Sequence, residues 1–554
     1  MSSSSIVLRN VSLEPFDAVS DTVIIEGEYI TAVGNWSSLM DVVPRNSQHF
    51  DCEFKTLLPG IDDSHLHAYM LGRQLSGVNV GPDQCENLDE VIKAVQSAEG
   101  SQQGWIRGFG WVSGRVIGSG PEQTVTAQDL DSAESSQPVI LTDFSGHQAW
   151  CNSLALNIAG IGAETPNPSG GVIVRYQDGT PTGLLIDSAV ELVTRKINRP
   201  NESERLAAIK TARDILLSNG ITAFTDPGIG PGAASLDDGT ADLVVIDDYK
   251  KLAEAGELNL RVNVMLLFGG LGGTSVQHVV DGLDAFGPPQ FNSQPNFVNV
   301  SQLKVFADGI PRSRTAWLSE PYDDHSHGSL TLAGDTEADR LKTMAGIFTE
   351  ASKRGWQIGF HSTGDATTSA LIDLLLKNES QVEKRHYVIH GDLIRENDFE
   401  RMARSGLFLT AQPAIRWFVS RNVDSIIGID RAAKRQQLRS QLEAGVAVSL
   451  SSDAPVSSAD WRLIYAAAVS RSLRTEPSYT DDQKLTPLQA LTAMTQTPAA
   501  QSRAESWRGR IAAGYVADLF LVDRKIDFAA DPWSLMESRV QATLVAGRIV
   551  FGEL

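Results

Sequence analysis

His65 and His67 are separated by one residue in the run Leu57-Leu-Pro-Gly-Ile-Asp-Asp-Ser-His65-Leu-His67. On an extended strand the side chains at i and i+2 face the same way, so the two imidazoles converge on one point. Converging imidazoles are the start of a divalent-metal site. The spacing alone is weak, because His325-Ser-His327 shares it in a loop-like Tyr-Asp-Asp setting. His361, His390 and Asp453 strengthen it, since each closes an apolar, strand-like run: Gln357-Ile-Gly-Phe-His361, His386-Tyr-Val-Ile-His390 and Val446-Ala-Val-Ser-Leu-Ser-Ser-Asp453. One such histidine is ordinarily a satisfied core residue. Four strand ends that each finish in His or Asp fit that reading poorly.

Lys304 lies inside the apolar run Leu303-Lys-Val-Phe-Ala307, where a bare ammonium is costly to bury. Three readings stand: an ion pair with a carboxylate inside the fold, an edge residue facing solvent, or a lysine N-carboxylated by CO2. In the third the carbamate is anionic and offers two oxygens that can bridge two cations. His65, His67, Lys304, His361, His390 and Asp453 then form a binuclear set.

Such a set needs elements that bring distant residues together. The middle of the chain alternates apolar strand-like runs with helical stretches, including Gly220–Asp226, Leu260–Met265, Gln302–Asp308 and Leu407–Ala411. That rhythm indicates parallel strands joined by helices. With the strand before His65 the count is about eight, the number of a (β/α)8 barrel, whose catalytic residues sit at the C-terminal strand ends. Residues from about 75 to 210 break the rhythm and read as a subdomain inserted after the first barrel strand, roofing the site. Both ends are β-rich, which suggests one small β-sandwich assembled from residues 1–57 and 501–554 around a barrel of residues 58–500.

The 554 residues carry a formal charge of −21, which argues against nucleic acid and against an anionic membrane surface as partners. No apolar run approaches the ~18 residues of a membrane span. The start, Met1-Ser-Ser-Ser-Ser5, shows no secretory pattern. Three cysteines, Cys52, Cys85 and Cys151, suggest neither a disulfide framework nor a CxxC site. The expectation is a cytoplasmic protein acting on a small molecule, with a homodimer favoured on general grounds.

Taken together, the motifs resemble the amidohydrolase superfamily, and within it the branch called amidohydrolase family 3 or YtcJ-like. The matching residues are Pro59-Gly60 through His67, Gly146-His147 through Ser153, Pro181-Thr-Gly183, Lys304 through Gly309, Arg314-Thr-Ala316 with Pro321-Tyr322, His361 with Gly364-Asp365, Arg385-His386 with His390, Gln412-Pro413, Ser452-Asp453-Ala-Pro455-Val456, and Gly514-Tyr-Val-Ala-Asp518. The resemblance covers nearly the whole chain. It implies a distorted (β/α)8 TIM barrel with a composite β-sandwich. It also implies ligands His65 and His67 from the first strand, Lys304 from the fourth, His361 from the fifth, His390 from the sixth and Asp453 from the eighth. The chain departs from the pattern at Ile389, where the family often has an acid, and at Ser451-Ser-Asp453, where Gly-Ser-Asp is commoner.

The activity implied is hydrolysis of a linear amide, such as an N-formyl or N-acyl amine, by one or two divalent ions. Zinc is the first expectation, with iron or manganese as alternatives. Asp453 would act as general base and then general acid. His147 would donate to the developing oxyanion. Trp111, Trp150, Trp317, Tyr322 and Trp417 are candidates to line the pocket, and Arg312 or Arg314 to meet a substrate carboxylate. Simple packing and local ion pairs are the competing readings for these residues. Cyclic-amide or ester hydrolysis, and metal-dependent decarboxylation or lyase chemistry, are alternatives on the same site; a non-catalytic scaffold is the least favoured.

Overall fold

The computed structural model describes the chain except residues 1–4, 82–83, 99–103, 113–115, 121–122, 144–145, 147, 169–170, 237–238, 291–296, 379–382, 475–477 and 479. Four N-terminal strands, β1 (Ser5–Arg9), β2 (Thr22–Glu26), β3 (Tyr29–Gly34) and β4 (Gln48–Asp51), form a sheet in the order β3-β2-β1-β4. The next strand, β5 (Leu57–Pro59), joins a different sheet at the far end of the chain, and β6 (Ile61–Asp63) enters the barrel at once.

A long insertion follows β6. Its strands β7 (Val78–Asn79), β8 (Ile106–Trp111), β9 (Val139–Asp143), β10 (Gln148–Cys151), β11 (Gly171–Arg175) and β12 (Pro181–Asp187) make one mixed sheet in the order β11-β12-β10-β9-β8-β7. The helix Glu202–Ser218 then returns the chain to the barrel. Asn201 starts it through a capping box: its side chain accepts from Glu204 N while the Glu204 carboxylate accepts from Asn201 N.

The barrel continues through β13 (Ile221–Ile229), β14 (Arg261–Leu266), β15 (Val298–Phe306), β16 (Gln357–Ser362), β17 (Tyr387–His390), β18 (Phe408–Ala411) and β19 (Val448–Leu450). With β6 they form an eight-stranded, all-parallel sheet in the order β19-β18-β17-β16-β15-β14-β13-β6. Side chains inside and helices outside bury both faces, which is why these strands read as apolar runs. The outer layer packs Trp356 and Phe348 against the helices in one continuous core. The (β/α)8 architecture expected from the sequence is present.

Strands β6 and β19 share no ladder. Three hydrogen bonds at their C-terminal ends hold the seam instead: Asp453 N donates to His65 O at 2.8 Å, His67 N donates to Ala454 O at 2.7 Å, and Ser452 N donates to the Asp63 carboxylate at 3.1 Å. The barrel closes through the segments that carry three of the six candidate ligands.

The chain ends in β20 (Leu519–Val522), β21 (Val540–Val545) and β22 (Arg548–Gly552), which pair with β5 in the order β22-β21-β20-β5. Leu519, Leu521 and Leu544 of this sheet share an apolar cluster with Ile6 and Leu8 of β1. Two buried ion pairs tie the C-terminal segment to the barrel: Arg508 Nη2 to Asp62 Oδ2 at 2.7 Å, and Arg261 Nε to Asp518 Oδ2 at 2.6 Å.

Candidate metal centre

The sequence places His65 and His67 on a strand, but β6 ends at Asp63 and both histidines follow it in the seam. They still converge: His65 Nε2 lies 3.2 Å and His67 Nε2 3.4 Å from the same oxygen, Asp453 Oδ1. Two ligands at ~2.0–2.1 Å on a tetrahedral ion stand roughly 3.3 Å apart, so these separations suit groups that share a cation. His390 joins them, its ring 5.5 Å from His65 and 4.5 Å from His361, centroid to centroid. Nitrogens of His65 and His390 and an oxygen of Asp453 fall within 4.8 Å of one another.

Hydrogen bonding assigns the nitrogens of the two outer histidines. His361 Nε2 lies 3.0 Å from Gly309 O, and a carbonyl only accepts, so Nε2 carries the proton. The lone pair is then on His361 Nδ1, a buried atom without a hydrogen-bond partner among the described residues. His390 is reversed. Its Nδ1 lies 2.8 Å from Gln412 Oε1, leaving Nε2 as the lone-pair nitrogen.

Electrostatics keeps these groups ready to bind a cation. Burial, with the ammonium of Lys304 next in weight, pushes His65 down to about 3. Burial likewise pushes His390 down to about 3 and His361 well below the imidazole range. Against its own burial, the imidazoles of His65, His67 and His390 hold the Asp453 carboxyl well below the usual carboxylate range. Neutral imidazoles and an ionised carboxylate form a donor set that a divalent cation fits. His390 and Asp453 also adopt left-handed backbone, with φ of 75° and 58°, unusual for residues with a Cβ.

Lys304 stands on an interior strand, paired in register with Gly359 of β16, and is only 3% exposed. An edge position facing solvent is therefore corrected. No carboxylate lies within ion-pair distance of Nζ among the described residues; the charge of Asp453 acts on it, and its Nζ sits 4.9 Å from the Phe306 ring centre. Burial pushes the ammonium down to about 7.

These groups line a cavity of ≈ 220 Å³ whose walls are mostly apolar, with Met70, Phe109, Leu236, Leu271 and Phe306 among them. Arg312 is in the wall. The other pocket candidates are not. Trp111 and Trp150 are buried in the inserted subdomain and donate to Leu141 O (2.9 Å) and Thr126 O (2.6 Å). Their indoles are consumed by the packing of that sheet. Tyr322 is buried and donates to Ala316 O at 2.9 Å. Trp317 is partly buried against the barrel core, its backbone N–H bonded to Asp308 at 3.1 Å. Arg314 forms an ion pair with Asp323 at 2.7 Å. Trp417 stacks on Trp533 in a neighbouring cavity. His147 lies outside the described residues, although Gly146 beside it lines the metal cavity.

Three polar cavity residues were given no role from the sequence. Gln412 orients His390, and Asp392 and Arg435 form a buried ion pair of 2.7 Å in the wall. Position relative to strand ends could have flagged Gln412, which follows β18 directly. Nothing in the sequence pairs Asp392 with Arg435.

Residues 48–551 match the model of the amidohydrolase family. YtcJ of Bacillus subtilis (strain 168), named as an amidohydrolase, is 27% identical over 544 residues, covering 96% of both chains. The N-substituted formamide deformylase of Arthrobacter pascens is 26% identical over 559 residues, covering 98% of this chain and 97% of that one. Among solved structures, an uncharacterized metal-dependent hydrolase from Pyrococcus horikoshii OT3 superposes with a TM-score of 0.75 at 21% identity, covering 99% of this chain and all of that one. At that identity the likeness speaks for the fold.

Proposed function

The chain belongs to the amidohydrolase family, and from that premise we propose that it is a metal-dependent hydrolase of linear amides, releasing an amine from an N-formyl or N-acyl amine. One observation carries the metal: His65, His67, His390 and Asp453 converge from three separate strand ends, and the contact of Gln412 with Nδ1 of His390 leaves its Nε2 as a lone-pair nitrogen. The amide preference is supported by the formamide deformylase relative.

His65, His67, His361, His390 and Asp453 would hold the cation, zinc first and iron or manganese as alternatives. Lys304, N-carboxylated, would complete a set for two ions. A divalent cation in such a set supplies Lewis acidity toward a carbonyl and acidifies a bound water.

The chain's own residues do the rest. Asp453 Oδ1 faces His65 Nε2 and His67 Nε2, on the side where the cation would sit, and Oδ2 is assigned to accept the proton of the attacking water. The same oxygen then returns that proton to the departing nitrogen, since an amine leaves poorly unprotonated. The products are a carboxylic acid and an amine. His147 is proposed as the donor to the oxyanion from the roof. The apolar wall excludes bulk water, which strengthens the charge interactions inside.

Metal analysis of the purified protein, combined with a panel of N-formyl and N-acyl amines scored for released amine, tests the reading. Near-stoichiometric metal and amine release are expected. Metal-free protein that gains no activity with zinc, manganese or iron would overturn it, as would release of alcohol or CO2 from a broader panel without any amine.

A further inference from the structure

A second cavity, of ≈ 690 Å³, adjoins the first. The two share four wall residues: Gln74, Phe109, Pro455 and Val456. Three of these are tied to the chemistry by chain position. Gln74 sits on the helix Ala68–Leu75 that starts directly after His67, and Pro455 and Val456 follow Asp453. Phe109 comes from the roofing subdomain, on β8. The partition is therefore built from segments that bear the ligands, together with Phe109 of the insert.

The second cavity is suited to an uncharged, flat or branched apolar group. Its walls include the pair Trp417 and Trp533, ring centres 5.3 Å apart and tilted by 37°. Leu463 and Met536 flank them. The charged residues among its walls are Asp460 and Arg474. Both oxygens of Asp460 are taken by Arg462, at 2.8 and 2.7 Å, and the Arg474 guanidinium lies 5.0 Å from the Phe418 ring centre.

We propose that one substrate molecule occupies both cavities. Its amide lies at the metal ligands, and an uncharged arene or branched alkyl group passes Phe109 and Val456 to rest against the Trp417–Trp533 pair. This rests on the amide-hydrolase reading and names its substrate class: amides with a long apolar substituent. Contacts remote from the reacting atoms supply binding energy that a short amide cannot, and that energy can be spent on positioning.

The experiment measures kcat/KM for N-formyl methylamine, hexylamine and 4-phenylbutylamine. The phenylbutyl substrate should exceed the methyl one by about 100-fold or more. Trp533→Ala and Met536→Arg should each lower that ratio at least about tenfold. Met536 is 41% exposed, so the arginine can be accommodated at the rim without unfolding the chain. A ratio near one, or a ratio that neither variant moves, overturns the proposal. If no amide yields amine, the amide reading fails separately, and calorimetric binding of 4-phenylbutan-1-ol still decides the cavity. Binding weakened at least about fivefold by both variants supports it; absent binding, or equal affinity in all three proteins, overturns it.

Discussion

Gln412 Oε1 stands 2.8 Å from His390 Nδ1, and the glutamine cannot be turned around. Its Nε2 donates to Thr410 O at 3.3 Å and to Ser451 Oγ at 2.8 Å. The carbonyl of Thr410 only accepts, so the amide nitrogen must face it and the amide oxygen must face His390. The glutamine thus sets the tautomer of a candidate ligand from the next strand. Gln412→Leu should lower metal affinity about 10–100-fold while leaving the fold intact. Competition against a chelator, read alongside circular dichroism, measures this. Unchanged affinity would remove Gln412 from the ligand-orienting role.

Lys304→Ala tests the carbamate. A buried lysine with no carboxylate within ion-pair distance among the described residues is an expensive feature to retain unless it is modified. The substitution should at least halve the bound metal and lower kcat by about 100-fold or more. Short-chain carboxylic acids should restore part of the activity by supplying the missing oxygens. A fully metallated, active Lys304→Ala protein contradicts the bridging role. Native intact mass, which reads the added CO2 directly, gives a second measure.

Asp453→Asn separates proton transfer from ligation. The amide still offers an oxygen toward His65 and His67 but cannot take up the water's proton. The expected loss in kcat is about 10²–10⁴-fold, with KM changed far less. Equal falls in kcat and in metal content would assign Asp453 to ligation alone.

Much of this site was legible because parallel barrel strands are buried on both faces. They appear in the sequence as apolar runs, and a polar residue closing such a run is conspicuous. His361 and His390 were found in this way. The reading overshot where the barrel closes. Val446–Asp453 reads as one strand, yet the ladder stops at Leu450, and Ser452 and Asp453 turn instead to Asp63 and His65. Seam geometry of this kind depends on contacts nearly 400 positions apart, which no local pattern encodes. Trp111 and Trp150 stay out of the metal cavity for a related reason. A tryptophan's indole N–H needs a partner when buried, and Trp111 and Trp150 found theirs in Leu141 O and Thr126 O within the insert.

His386 gives a stability prediction that does not involve the ligands. It is buried in the barrel wall and accepts from Ile358 N through Nδ1 at 3.0 Å. Burial, helped by the positive charges of Arg503 and Lys384, pushes it down to about 3. In the unfolded chain an ordinary histidine titrates near ~6.5. Above that pH both states are neutral and the group has no effect. Below it the unfolded chain binds a proton that the folded one refuses, so stability falls as pH drops from ~6.5 towards the folded value, by up to ~1.4 kcal/mol per pH unit. His386→Asn keeps an acceptor for Ile358 N and cannot titrate. Urea unfolding of the metal-free protein between pH 7 and 5 should show a shallower decline for the variant. An identical pH slope would place the titration elsewhere.

The pair Asp62–Arg508 makes the last prediction. Asp62 lies on β6, directly before the seam residue Asp63, and Arg508 lies in the segment leading to the C-terminal sheet. Both are buried, and burial raises the Asp62 carboxyl while the guanidinium opposes it. A second buried pair, Arg261–Asp518, lies close enough for Asp518 to repel Asp62 and for Arg261 to repel Arg508. Removing one partner strands a buried charge. Arg508→Met should therefore destabilise by about 3–5 kcal/mol, whereas the double variant Asp62→Leu with Arg508→Met should recover much of that loss, because no unpaired charge remains. Denaturant unfolding of the two single variants and the double completes the cycle. Since β6 feeds directly into His65, Arg508→Met should also loosen metal retention, and the double variant should restore it. Additive losses across the cycle would mean that the two side chains act independently and that the barrel mouth is anchored by the seam alone.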